Sequence, residues 1–206
     1  MPFILETLVT TLNADGSVNL APQGPIELIR DERYLLRPYQ GSRTFENLLR
    51  ARCGVLHICD DPLLLAQAAL GEPDPPPKTR PAKEFAGRVL SAACRYYEFI
   101  IEEINTAAER SELTAQVVRK KTVREFGGWN RAQFAVLEAT ILATRLRFFP
   151  PAVVQTELQR LRPLVEKTGG ERELAAWSYV EGQIQKFYNP IIPGDGTDTM
   201  EHSSPG

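Results

Sequence analysis

Gly41, Ser42, Arg43 and Thr44 place a flexible turn, two hydroxyls and a guanidinium directly before a short amphipathic run, Phe45 to Ala51. At the start of a helix the first backbone N–H groups have no internal acceptor, and the helix dipole favours negative charge there. Hydroxyls and a guanidinium converging on such a point make an anion site, and a phosphate is the anion that suits it. A second unusual stretch lies upstream. In Ala21-Pro22-Gln23-Gly24-Pro25 two prolines remove backbone donors and a glycine removes a side chain, so the segment cannot be an ordinary central strand. It reads as a sheet edge, as a place where a flat group lies against the backbone, or as both. Alone, the first stretch is a capped helix start and the second a bulge. Together they describe the two ends of a ligand with a planar ring and a phosphate.

Other chemistry is sparse. The chain has two histidines, His57 and His202. His57 lies within an apolar strand, where a satisfied core histidine is expected, and no nucleophile-elbow sequence accompanies it. Phosphate-binding loop and dinucleotide fingerprints are missing, as is any cluster with metal-ligand spacing. Glu102 and Glu103 are adjacent on a strand and point to opposite faces, so they read as a solvated edge rather than a carboxylate dyad. Trp129 and Trp177, with Phe148, Phe149, Phe187 and Tyr188, read as packing anchors. If the protein is an enzyme, a cofactor carries its chemistry.

The elements that position these residues follow from pattern. Phe3 to Leu12 and Ser17 to Leu28 are strands around the Asn13-Ala14-Asp15-Gly16 turn. Strands over Ile26 to Arg30 and Tyr34 to Arg37 precede the turn at Gly41. In the helix that follows, Phe45, Leu48 and Leu49 share one face by spacing. Val55 to Cys59 is a buried strand and Leu63 to Leu70 a brief helix. Residues 71–81 hold five prolines and read as a surface excursion, with a flap as the alternative. Val89 to Asn105 and Leu113 to Thr122 read as a long antiparallel hairpin returning to the first sheet, with a helix over Tyr96 to Ile104 as the alternative. Beyond Gly127-Gly128 the period becomes helical, with helices expected from Arg131 to Phe148, from Val153 to Lys167 with a disturbance at Pro163, and from Glu171 to Tyr188. Asn130 stands where it caps the first. Residues 193–206 read as a disordered tail.

Over 206 residues, 24 basic and 26 acidic side chains are interspersed, for a net charge of -2. Nucleic-acid binding is not expected without a basic face. No apolar run is long enough to cross a bilayer and the N-terminus lacks signal-peptide features, so a cytoplasmic protein is expected. Cys53, Cys59 and Cys94 have no paired spacing and are expected to be reduced, mostly buried thiols.

The ordered pattern LVTTLNADGSVNLAPQGP, then RPYQGSRTFENLLRARCGVLHICDD, then GGWNRAQFAVLEATILATRL resembles the FMN-binding split-barrel proteins. It is closest to the DUF447 branch, related to flavin reductases and pyridoxamine-phosphate oxidase-like proteins. The resemblance implies an α+β protein: a six-stranded, antiparallel, Greek-key split β-barrel over residues 1–125, a helical subdomain over 126–192, and a homodimer with FMN at or near the subunit interface. Carried over, Ser42, Arg43, Thr44 and Asn47 are phosphate contacts, with Arg37 contributing from the preceding strand. Ala21, Pro22, Gln23 and Gly24 lie against the isoalloxazine ring. Asn130 resembles a family motif position and competes with its capping role. The implied function is a flavin-dependent oxidoreductase, with NAD(P)H one conceivable donor. The alternatives are a non-catalytic flavin-binding or storage protein, and a split barrel holding a deazaflavin, pterin or haem.

Overall fold

A computed structural model describes residues 2–108 and 110–189. The tail expected over 193–206, with His202, lies outside the described residues. The chain orders as β1 (Thr7–Leu12), β2 (Val18–Gln23), β3 (Ile26–Ile29), β4 (Arg33–Leu36), α1 (Arg43–Ala51), β5 (Cys53–Ile58), α2 (Pro62–Leu70), β6 (Thr79–Pro81), β7 (Arg88–Leu90), β8 (Arg95–Asn105), β9 (Glu112–Thr122), α3 (Arg131–Ala143), α4 (Pro151–Thr168) and α5 (Glu171–Tyr188).

The main sheet is antiparallel throughout, with strand order β2-β1-β5-β8-β9-β4-β3. Its outer strands, β2 and β3, are the two halves of the strand expected from Ser17 to Leu28, broken at Gly24-Pro25. The resemblance implied six strands, and seven are found because that broken strand counts twice. The segment before β1 closes the sheet into a barrel. Ile4 bridges Ile26, the Leu5 N–H donates to the Pro25 carbonyl at 3.1 Å, and the Glu27 N–H donates to the Phe3 carbonyl at 3.1 Å. Closure in this manner hides the edges that an open sheet would expose.

Two turns carry the geometry that the sequence demands. Gly16 (φ +83°) lets the β1–β2 hairpin close through the Asn13 N–H on the Ser17 carbonyl, the positive-φ position of a short hairpin loop. Gly41 (φ +80°) swings the chain from β4 into α1. The barrel core gathers Val9, Tyr34, Phe45, Leu48, Leu56, Phe99 and Leu113, all buried. Gly54 is pressed against it, since a Cβ there would lie 2.7 Å from Phe99.

Other expectations needed revision. Val89 to Asn105 is not one strand: it turns at 91–94, so that β7 pairs with β6 in a small separate sheet and only β8 joins the barrel. The helix expected to Phe148 ends at Ala143 and gives way to a single 3-10 turn, Leu146–Phe148. The Pro150-Pro151 pair forces extended backbone just beyond, and the chain reverses there into α4. Pro163 sits inside α4, which nonetheless runs unbroken to Thr168.

Of the aromatic anchors, Trp177 is buried in the helical core with Ala135, Val136, Val154 and Val180. Trp129, at 85% exposure, is not core at all, and Phe148 and Phe187 are also largely exposed. The Trp129 ring packs instead on Phe134 at the surface, centroids 5.5 Å apart. Helix α2, although it lies within the barrel half of the sequence, contributes Ala66 to the helical core.

Candidate functional site

Ser42 caps α1: its Oγ accepts from the Phe45 N–H at 3.2 Å. The buried face of this helix is Thr44, Phe45, Asn47 and Leu48, while Leu49 is exposed. The apolar face read from spacing was therefore incomplete. Two polar side chains belong to it because α1 lies over the polar end of the β1–β2 hairpin. Asn19, buried on β2, donates to Thr11 Oγ1 at 3.1 Å and to Thr44 Oγ1 at 3.0 Å. Asn47 donates to Thr11 Oγ1 at 3.0 Å and to Asn13 Oδ1 at 2.9 Å. Arg50 braces the other side, donating to Asn47 Oδ1 and to the Leu12 carbonyl. The amides and hydroxyls here are paired, as buried polar groups must be, and α1 is fixed against the hairpin.

Above this network lies a cleft of about 850 Å³. Asn19 and Ala21 of β2 line one side, Ser42, Arg43 and Thr44 the helix end, and Glu72, Pro73, Pro76 and Pro77 the far wall. Arg43 and Glu72 form an ion pair at 2.7 Å. The proline-rich segment is thus a wall of the cleft and not a mere surface excursion, and its last residues form β6.

The expected site residues divide between this cleft and other places. Ala21, Ser42, Arg43 and Thr44 line it. Asn47 stands directly beneath, spent on the network. Pro22 and Gln23 continue β2, the outermost strand of the sheet order, beyond it, and Gly24 follows the strand's end; all three are half-buried. Pro22 pairs with Leu8 and Gln23 with Thr7, and a Cβ on Gly24 would lie 3.3 Å from Ile4. Arg37 is outside the cleft lining, with its Nε buried and unpaired among the described residues. Asn130 is also outside it: its Oδ1 accepts from the Ala132 and Gln133 N–H groups and its Nδ2 donates to the Thr168 carbonyl, so the whole amide serves the start of α3. Asn19 and Glu72 were missed by sequence reasoning. An amide between Val18 and Leu20 is the one signal that could have revealed Asn19.

His57 is the satisfied core residue expected. The Leu90 N–H donates to Nε2 at 3.0 Å, so Nδ1 carries the proton and donates to the Leu8 carbonyl at 3.1 Å. Burial drives its pKa down to about 3. Cys94 is buried and Cys53 and Cys59 half-buried, all free; burial pushes the Cys59 thiol up to about 12. Glu102 and Glu103 are exposed, the first paired with Arg33. Asp60 takes the Arg124 guanidinium and the Gly127 N–H, bonds that hold its carboxyl below the usual range. Among the described residues no cluster of three His, Cys, Asp or Glu could hold a metal, and no helix is long and apolar enough to cross a membrane.

A closed antiparallel barrel with a broken edge strand, a capped helix beside it and a helical C-terminal part define the flavin-reductase-like split-barrel class of folds. The chain belongs to the DUF447 family, proteins of unknown function: the family's N-terminal domain matches residues 5–124 and its C-terminal part matches residues 130–182. It is similar to an FMN-bound DUF447 protein from Methanosarcina mazei, at 25% identity over 89% of this chain and 96% of that one, with a TM-score of 0.73. An FMN-binding protein from Thermus thermophilus with bound 1-cyclohex-2-enone shares the fold at 16% identity and a TM-score of 0.50, over 60% of this chain and 72% of its own.

Proposed function

We propose that this protein binds FMN in the cleft between β2, α1 and the proline-rich wall, and uses it as an oxidoreductase cofactor. The observation that carries the reading is the donor set at the start of α1. Ser42, Arg43 and Thr44 share one cleft wall with the start of an edge strand, and the DUF447 relative of known structure contains FMN. The residues fit such a group. The cleft volume lies within the range of cofactor pockets, roughly 300–1,000 Å³. Arg43 and the first N–H groups of α1 supply the cation and donors that a phosphate needs. The strand from Ala21 to Gly24 offers half-buried backbone, with little side chain in the way, to a flat ring.

When bound, FMN supplies hydride and single-electron transfer. The chain's own work is then to bind and orient. Arg43, Ser42 and Thr44 hold the phosphate end, Asn19 and Asn47 keep α1 in register with β2, and Pro76 and Pro77 limit water on the far side. None of the residues at the cleft needs to exchange a proton for this role. We further infer a cytoplasmic homodimer. Strand β3 carries Leu28 and Ile29 at 48% and 51% exposure, apolar surface of the kind that a second copy covers.

Purified protein is expected to release FMN on denaturation and, once loaded, to be reduced by NADH or NADPH. Protein that neither copurifies with FMN nor gains thermal stability from it overturns the binding reading. FMN that binds but is never reduced by any donor leaves a flavin carrier in place of an enzyme.

A further inference from the structure

Arg43 is the first residue of α1, and Glu72 follows the C-cap of α2, Gly71. Each charge therefore sits at the wrong end of its helix. A cation at a helix N-terminus and an anion at a C-terminus are both disfavoured by the dipoles. Their side chains are 70% and 79% exposed, so water screens their attraction and the pair adds little to stability. Neither folding nor helix propensity accounts for this arrangement. An anion at the start of α1 does account for it, since that is what the helix end and Arg43 together call for. Arg43 is also the one cation among the residues lining the cleft, and Glu72 the one anion.

We propose that Glu72 is a stand-in for the phosphate of the ligand: its carboxylate holds Arg43 over the mouth of α1 in the free protein and is displaced when a phosphomonoester arrives. This rests on the cleft being the flavin site and assigns to Glu72 the selection among flavins. A phosphate dianion brings twice the charge of the carboxylate and gains from α1 the dipole that Glu72 lacks at α2, so it wins the exchange. A flavin without phosphate leaves the ion pair in place and binds only through its ring. The proline-rich wall follows Glu72 directly, so release of Glu72 also frees the first residue of that wall.

The test is fluorescence titration of FMN and of riboflavin into the full chain and its E72Q, R43A and R43A/E72Q variants, with inorganic phosphate as a competitor. Both positions are exposed, and thermal melts confirm that each variant folds. The expected result is an E72Q affinity for FMN that is higher by roughly three- to tenfold, the scale of removing one screened competing charge near a dianion. Riboflavin affinity stays unchanged, and the gain vanishes in the Arg43→Ala background. The inhibition constant of inorganic phosphate against FMN, corrected for the tighter FMN binding, falls in E72Q by a similar factor. FMN affinity that is unaltered or weaker in E72Q overturns the role of Glu72 while leaving the flavin site standing. An equal gain for riboflavin overturns it too, because the effect would then not act through phosphate. No binding of FMN to any of the four proteins removes the flavin site itself, and the stand-in role with it.

Discussion

The amide of Asn19 on β2 donates to the hydroxyl of Thr44 on α1 at 3.0 Å, fully inside the protein. This bond ties the strand that leads to Gly24 to the helix turn that carries Arg43. Together with the Asn47 bonds to Thr11 and Asn13, it holds the two ends of the proposed ligand site at a fixed separation. Asn19→Ala leaves the Thr44 hydroxyl without its partner in a buried place, while Thr11 keeps the bond from Asn47. It is expected to lower unfolding stability by about 1–3 kcal/mol and to weaken FMN binding although residue 19 carries no charge. Urea denaturation and flavin titration of the same variant check both halves, and unchanged stability would show that the bond holds nothing.

Arg43 behaves oppositely. Its side chain is exposed and paired only with an exposed acid, so Arg43→Ala is expected to leave the melting temperature nearly unchanged. FMN affinity should fall by about 1.5–3 kcal/mol, the worth of a charge-assisted hydrogen bond. Fluorescence titration against riboflavin as control reads it directly. A loss of equal size for riboflavin would place Arg43 away from the phosphate.

Asp61 joins the barrel to the helices. One oxygen caps α2 by accepting from the Leu64 N–H at 3.0 Å, and both take the Arg172 guanidinium from α5. Asp61→Asn keeps an acceptor for the cap and loses the charge, whereas Asp61→Ala loses both. The alanine variant is expected to be less stable than wild type by about 1–2 kcal/mol, with asparagine between the two. Equal losses in the pair would mean that the cap contributes nothing and that Arg172 carries the effect.

His57 sets an acid limit on the fold. Burial holds its folded pKa at about 3, far below the ordinary value near 6.5. The unfolded chain therefore takes up a proton that the folded chain refuses. Stability is whole above about pH 6.5 and declines as pH falls toward 3, at up to roughly 1.4 kcal/mol per pH unit. Asp60, whose folded pKa is depressed, loses its contribution only below its unfolded value, about 4. Between pH 7 and pH 5.5, above the range in which Asp60 titrates, a loss of about 1 kcal/mol from His57 is expected on denaturation. A flat profile across that interval would mean that the imidazole is open to solvent.

Much of the fold was legible because the signals were local. Asp15-Gly16, Gly41 with Ser42, and the broken stretch at Pro22 to Pro25 each name a backbone geometry, and the helical period beyond Gly128 names an element type. What escaped depended on partners remote in sequence. Trp129 looks like core by composition, yet nothing in its own neighbourhood says that it stands ahead of α3 at the surface, against the exposed Phe134. Leu49 fits an apolar face by spacing, but the surface that α1 meets is Thr11, Asn13 and Asn19, which favour Thr44 and Asn47. The register that splits Val89 from Asn105 comes from Lys78 to Pro81, since the Ser91 N–H donates to the Lys78 carbonyl. In the cleft, the capped helix end was readable from four adjacent residues. Glu72 was not, because only the path of the chain after α2 brings it to Arg43.

The join between β2 and β3 has a further meaning. A barrel whose two outer strands are one broken strand is zipped shut just past the Gly24-Pro25 break, where the Leu5 amide donates to Pro25 and the Glu27 amide to Phe3. The residues directly before that break, Ala21 to Gly24, are where a flat ring is proposed to rest. Occupancy would then brace the zip, and the Leu5 and Glu27 amides become natural reporters: their hydrogen exchange slows when the ring is in place, so the molecule signals its cofactor through the closing of its own wall.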